Sequence, residues 1–179
     1  EFHYQRMLRA PMFILDSDQN AKMLEDYLNS HFDEIKSVAE SYSNHAKLLE
    51  IKTSITGSHL NTKFYYQTGD AAGQNMTTTC TWHALLHIVS EFEILYPGMP
   101  LDYVIEGNGA ADKKLSQYNI EHGRGCKVSA SVEVSDAVLK DVLRVDSNQF
   151  LKFYHPSKAA AEKEGMVGYN INVANALAS

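Results

Sequence analysis

The spacing of apolar residues changes along the first half of the chain. Between Gln19 and Ser43 apolar residues recur every three or four positions, which predicts two helices that meet near Asn29. From Lys47 to Thr56 apolar and polar residues alternate, and the run from Leu60 to Gln67 is rich in Phe and Tyr. Alternation of this kind is typical of strands, so these two runs predict a β-hairpin that turns at Gly57.

The second half carries one long helical pattern and several shorter segments. Helical spacing extends from Met76 to Tyr96 and stops at a cluster of Pro and Gly. The remaining predicted segments are a short strand at Leu101–Glu106, a strand at Cys126–Val134, a short helix capped at Ser135 that runs to Leu143, and two helices at Ser147–Phe153 and Ser157–Lys163.

This order of elements predicts an α+β fold. Helices, hairpin, helix, strand, strand and helix are the order of a split βαβ (ferredoxin-like) arrangement, an antiparallel sheet with helices on one face. A Rossmann fold fits poorly because no Gly-x-Gly-x-x-Gly follows a strand. With 179 residues, 44% of them hydrophobic, the chain is long enough for one core, and residues 1–179 are expected to form a single domain.

Charge and hydropathy exclude some classes of protein. The formal net charge of −6 argues against binding to duplex nucleic acid, which needs clustered positive charge. The sequence shows no membrane segment and no secretory pattern, so a soluble cytoplasmic protein is expected. Cys80 and Cys126 lack the spacing of a metal or redox motif and are expected to be buried thiols.

The stretch from Thr68 to Met76 carries the clearest chemical signal. Gly69, Asp70 and Gly73 stand where a predicted strand gives way to a helix. Glycines at such a turn let backbone N–H groups approach a phosphate, so the stretch predicts a pyrophosphate site with Asp70 touching a ribose or an amide. On the pattern alone, a glycine turn that only begins a helix is the favoured interpretation, because Gly-Asp turns are common.

Three other groups of residues have two interpretations each. In the run 112–114 a lysine between an acid and a second lysine can stabilise an oxyanion, or the run is a solvated charge cluster. Arg124 between two glycines can face a phosphate, or it lies in an exposed turn. His83 and His87 have a metal-binding spacing, but no third ligand is evident, so we expect packed histidines and no metal site.

Five segments in order resemble the hydroxymethylglutaryl-CoA reductase (HMG-CoA reductase) family. They are Arg9-Ala10-Pro11, Thr53-Ser54-Ile55-Thr56-Gly57, Thr68 to Met76, Asn108 to Lys114 with Asn119 and Gly123-Arg124-Gly125, and Gly168-Tyr169-Asn170 with Ala174-Asn175. The resemblance implies the small NADPH-binding domain of this family, with connections to an absent large domain that holds CoA and the dimer contacts. The implied reaction reduces a CoA thioester to mevalonate.

The resemblance also implies roles for individual residues. The cofactor would contact Asp70, Ala72, Gly73, Gln74 and Asn75, with Ser43, Asn44 and His45 at its adenosine end. Lys113 would be the catalytic lysine with Asp112 beside it, and Arg9, Glu106, Lys114 and Asn175 would face the acyl substrate or the lysine network.

The chain also departs from the family pattern. The family's catalytic Glu, Asp and His are absent, Asn44 replaces a phosphate-facing Arg, and Glu106 replaces a Ser. An oxidoreductase domain that binds NADPH and is incomplete on its own is therefore one expectation, and a homo-oligomer is another. The alternative is a repurposed stand-alone domain, either a non-redox enzyme such as a cyclase or isomerase of secondary metabolism, or a small-molecule binding module.

Overall fold

The computed structural model describes residues 1–110 and 116–166. These residues form two compact units, residues 1–110 with 118–128 and residues 116–117 with 129–166. The first unit contains the sheet and the long helix, and the second is helical in its described part. The expectation of a single domain over residues 1–179, with connections to an absent large domain, stays a prediction.

The first unit is built on an antiparallel sheet of six strands. The strands are β1 (Phe2–Arg9), β2 (Met12–Ile14), β3 (Lys47–Thr56), β4 (His59–Gln67), β5 (Asp102–Val104) and β6 (Gly125–Val128). Strand β4 lies at the centre, with β3 along one side and β1 and β2 end to end along the other. Beyond these, β6 pairs with β1 and β5 pairs with β2.

A break at Pro11 separates β1 from β2. Proline has no N–H to give to a ladder, but the carbonyl groups of Pro11 and Ala10 both accept hydrogen bonds. The Thr62 backbone N–H and hydroxyl both donate to the Pro11 carbonyl, at 3.0 and 2.8 Å. The Gly107 N–H donates to the Ala10 carbonyl at 2.7 Å. Strands β1 and β2 thus act as one kinked strand beside β4.

Three helices cover one face of this sheet. They are α1 (Asp18–Ser30), α2 (Phe32–Ser41) and α3 (Gln74–Leu95). Strand residues that point to the helices include Phe13, Leu60 and Phe64, which are fully buried against Leu24 and Ile88. The α+β class with an antiparallel sheet is therefore confirmed, and the arrangement is consistent with the predicted split βαβ fold.

Two strands and one helix were missing from the sequence-based prediction. Strand β1 combines polar and apolar residues without strict alternation, and β2 has only three residues, so neither gives a period of two. The short helix α4 (Gln117–His122) is likewise below the length at which periodicity is informative. The hairpin and helices α1 to α3 were predicted correctly.

Other segments differ in length from the prediction. Strand β6 ends at Val128, where its ladder with β1 stops at the pair with Phe2, although the alternation continues to Val134. A single helix, α6 (Ser147–Lys163), replaces the two predicted helices because Pro156 lies inside it without ending it. Asp146 and Gln149 form a capping box at its start.

The second unit also contains α5 (Asp136–Val138), followed by a π-helical turn at Leu139–Leu143. The Ser135 hydroxyl accepts from the Val138 N–H, as expected of a cap. Cys80 is buried as predicted, whereas the same prediction is wrong for Cys126, which is exposed at the start of β6. Within the described residues, no helix combines the length and the apolar character needed to cross a membrane.

Candidate functional site

The turn between β4 and α3 is held in shape from two sides. Gly69 and Gly73 have positive φ angles of 64° and 72°, which residues with a side chain rarely adopt. The Thr68 hydroxyl donates to the Ala71 carbonyl at 2.6 Å and closes the turn. The Gln5 side-chain amide on β1 donates to the Gly69 carbonyl at 2.8 Å. The turn is therefore fixed both locally and to the sheet.

Within this turn, Gly73 is the position at which no larger residue fits. A Cβ atom there would lie 2.7 Å from Thr68 Cγ2 and 3.0 Å from Met76 Cε. At Gly69 the same atom would meet nothing within 4 Å. The sequence needs glycine at Gly73 for space as well as for backbone angle, whereas Gly69 is needed only for the angle.

Helix α3 begins directly at this turn, and no side chain caps it. The first N–H groups of a helix have no partner within the helix, and the helix dipole makes this end favourable for a negative charge. Four of the predicted cofactor residues, Asp70, Ala72, Gln74 and Asn75, are exposed around this end. The arrangement can accept an anion such as a phosphate.

Arg9 anchors α3 to the sheet. Its side chain is 8% exposed, its Nε–H donates to Thr78 Oγ1 at 2.7 Å, and its Nη2 donates to the Gln74 carbonyl at 2.8 Å. A second anchor is the 2.9 Å hydrogen bond between the hydroxyls of Tyr66 and Thr81. Burial raises the pKa of Tyr66 far above its ordinary value. The predicted contact of Arg9 with the acyl substrate stays a prediction.

Hydrogen bonds to the Ser43 side chain hold the Ser43–His45 loop in shape. The Ser43 hydroxyl accepts from the backbone N–H groups of His45 and Ala46 at 3.1 and 3.2 Å, and the side chains of Asn44 and His45 are exposed. Next to the loop, the ring of Tyr42 stacks on His83 of α3 with 3.6 Å between centroids. The loop predicted for the adenosine end therefore lies against the same helix as the glycine turn.

Glu106 lies at the loop that follows β5. Its carboxylate accepts long hydrogen bonds from the Ala10 and Ala110 N–H groups, at 3.4 and 3.5 Å. The neighbouring Gly107 packs so closely that a Cβ atom would lie 2.6 Å from Met12 Cβ. The carboxylate thus braces this loop against the kink between β1 and β2, and its predicted role at the substrate is untested.

Four predicted site residues, Asp112, Lys113, Lys114 and Asn175, lie outside the described residues, and their roles stay predictions. Arg124 is partly buried and its Nη1 lies 3.7 Å from Met7 Sδ. His87 Nε2 lies 3.0 Å from Glu34 Oε1. In residues 1–110 and 116–166, no three His, Cys, Asp or Glu side chains come together as a metal site.

The whole chain matches a known protein family. A sequence model of the family described as Hydroxymethylglutaryl-coenzyme A reductase matches residues 1–179. The chain belongs to the HMG-CoA reductase family. It is 33% identical to the 3-hydroxy-3-methylglutaryl-coenzyme A reductase of Methanocaldococcus jannaschii over 177 residues, covering 95% of this chain and 42% of that protein.

Two other relatives carry the same name. The protein of Haloferax volcanii is 30% identical, over 97% of this chain and 42% of its own length. The protein of Strongylocentrotus purpuratus is 30% identical, over 94% of this chain and 18% of its own length. The chain therefore spans less than half of these HMG-CoA reductases.

Sequence reasoning did not identify Gln5 or Tyr42 as part of the site. Gln5 holds the glycine turn from β1, a strand that the hydrophobic pattern did not reveal. Tyr42 directly precedes the predicted Ser43–His45 loop, and an aromatic residue at that place was the signal available in the sequence.

Proposed function

We propose that this chain is the nicotinamide-cofactor-binding part of an HMG-CoA reductase, which reduces a CoA thioester towards mevalonate. The observation that carries the proposal is the Gly69–Gly73 turn at the uncapped N-terminus of α3, within a chain that matches the family throughout. A pyrophosphate at this turn would meet the free N–H groups and the positive end of the helix dipole.

The Ser43–His45 loop is the proposed adenosine end of the site. His83, which contacts Tyr42 beside this loop, lies nine residues after Gln74, or about 14 Å along a helix that rises about 1.5 Å per residue. An extended dinucleotide can span such a distance. Both proposed ends of the cofactor would thus lie along α3.

The choice between NADPH and NADH is open to test at this loop. Asn44 carries no charge, and the nearby Lys47 ammonium is 3.2 Å from the carboxylate of Glu40. A 2′-phosphate would therefore lack a free cation from these residues. NADPH is the cofactor that the family resemblance implies, and a measurable preference for NADH would follow from the local charge.

Reduction requires more of the protein than this chain. We assign Lys113, with Asp112, to stabilising the oxyanion of the thioester, and Arg9, Glu106, Lys114 and Asn175 to the substrate side. The second unit exposes large apolar side chains, including Val142 at 69% and Phe153 at 67%. We propose that another domain or subunit covers these side chains. A large domain and a second copy of the protein are the proposed partners.

Calorimetric titration of the purified chain with NADPH, NADH and HMG-CoA tests this function. We expect saturable binding of a nicotinamide nucleotide, lost in Asp70→Ala and kept in Asp33→Ala, which removes an exposed acid on α2. We also expect no mevalonate from the chain alone. Absence of binding to either nucleotide would refute the cofactor role and favour the repurposed domain, whereas mevalonate formation would refute the need for further domains.

A further inference from the structure

The face of the sheet opposite α1 to α3 carries two lysines directly across from each other. Leu60, Phe64 and Tyr66 of β4 point towards the helices, so the alternate residues of β4 point to this second face. In the β3–β4 ladder Lys52 pairs with Lys63, and Ser54 pairs with Asn61. Like charges at directly opposed positions destabilise a sheet, and an anion between the two ammonium groups would remove this repulsion.

A cavity of about 190 Å³ opens at this pair. Its walls are Lys52, Thr53, Ser54, Asn61, Lys63 and Tyr118. Tyr118 belongs to α4, and its hydroxyl is hydrogen-bonded to that of Tyr65, which is fully buried beneath it. The aromatic wall is therefore fixed in place rather than free to fill the cavity.

The two ammonium groups differ in their surroundings. Lys63 Nζ lies 3.1 Å from the centroid of the Tyr118 ring, and no carboxylate among the described residues lies within 4 Å of it. Lys52 Nζ lies 3.5 Å from Glu50 Oε1, a carboxylate that is also 3.7 Å from Arg6 Nη1. One carboxylate is thus shared by Lys52 and Arg6, and Lys63 is left with the face of an aromatic ring, which leaves net positive charge at the cavity.

Neutral donors complete the cavity. The Asn61 side-chain amide donates only long hydrogen bonds, at 3.4 Å to the Ser54 carbonyl and 3.3 Å to Thr56 Oγ1. Bonds of this length are weak, so the amide can turn to a better acceptor. With the Ser54 hydroxyl it offers hydrogen bonds beside the two charges, which is the chemistry that an oxyanion requires.

We propose that this cavity binds a small oxyanion, the phosphate or carboxylate end of a ligand, between Lys52 and Lys63. The site is separate from the glycine turn, because it lies on the other face of the sheet and towards the hairpin end of β4. It does not depend on the proposed cofactor function.

Backbone amide NMR of the chain at low ionic strength tests the site. The chain is titrated with inorganic phosphate and, separately, with glutarate, with sodium chloride to control for ionic strength. We expect saturable shifts at the amides of Lys52, Ser54, Asn61 and Lys63. Saturation by phosphate alone or by glutarate alone identifies the class of ligand, and saturation by neither overturns the proposal.

Variants separate a site from general charge attraction. Lys63→Gln and Lys52→Gln should each weaken binding about tenfold, because each removes one charge-assisted hydrogen bond. Lys36→Gln is the control, since Lys36 on α2 lies on the helical side and is 3.8 Å from Glu40. Lys52 is half-exposed, so its variant should keep the fold even if Lys63→Gln disturbs the Tyr118 contact. Equal affinity in Lys52→Gln and Lys36→Gln would refute the site.

Discussion

Replacing Gly73 by alanine tests whether the turn before α3 is as tightly built as its contacts indicate. The residue has a φ of 72°, and a Cβ atom would lie 2.7 Å from Thr68 Cγ2 and 2.8 Å from Thr68 Cβ. The left-handed conformation costs a non-glycine residue about 1–2 kcal/mol. Forcing an extra methyl into a filled space typically costs about 1–3 kcal/mol more.

Gly69→Ala is the matched control. Gly69 lies in the same turn and has a similar φ of 64°, but no atom lies within 4 Å of its Cβ position. Gly69→Ala should therefore lose only the free energy that the left-handed backbone conformation costs alanine. We expect Gly73→Ala to be the more destabilising of the two by about 2 kcal/mol, the share that comes from steric contact.

The measurement is urea unfolding followed by the fluorescence of Trp82, the single tryptophan, which lies on α3 in the first unit. This probe reports the unit that contains the turn. The same variants are then titrated with NADPH and, separately, with NADH. If the two variants lose equal free energy of unfolding, Thr68 does not restrict the space at Gly73 and the steric argument is wrong.

Three further changes have expected outcomes. Arg9→Gln should lower the free energy of unfolding by about 2 kcal/mol or more, because it leaves the Gln74 carbonyl and Thr78 without their charged donor, and urea unfolding measures this loss. Because burial raises the pKa of Tyr66, the unfolded chain releases this proton first above about pH 10, so stability should fall there by up to about 1.4 kcal/mol per pH unit. Urea unfolding at pH 8 to 12 measures this fall in the free energy of unfolding. The fall should be shallower in Tyr66→Phe. It should be unchanged in Tyr42→Phe, because the ring of Tyr42 is half-exposed. Asp146→Ala should lower the helical signal of the chain in circular dichroism, because α6 loses its N-cap, a loss that costs about 1 kcal/mol.

The parts of the fold that the sequence predicted are those with a long, regular period. Helix α3 has 22 residues and the β3–β4 hairpin has clear alternation around Gly57, so both were predicted close to their observed bounds. Strand β1 was missed because its place in the sheet depends on partners in β4 and β6 that are distant in sequence. A proline is also not an absolute stop signal for a helix, as Pro156 within α6 shows.

In the candidate site too, features made by neighbouring residues were predictable and contacts between distant residues were not. The glycine turn follows from local residues, since Gly69, Gly73 and the start of α3 are adjacent in the chain. The paired lysines of the second face could not be found in this way. Lys52 and Lys63 are eleven positions apart, and only the register of the hairpin brings them opposite each other.

The position of Arg9 affects how its substitution in a complete reductase should be interpreted. Its guanidinium bonds to the carbonyl of Gln74, which belongs to the first turn of α3 and to the predicted cofactor motif. Substituting Arg9 removes this bond between the sheet and the N-terminus of α3, whether or not Arg9 also contacts the substrate. A loss of activity in an Arg9 variant therefore indicates a substrate contact only if the affinity for the nucleotide is unchanged. If that affinity falls as well, the arginine acts by positioning α3, which is the role that its hydrogen bonds within the chain support.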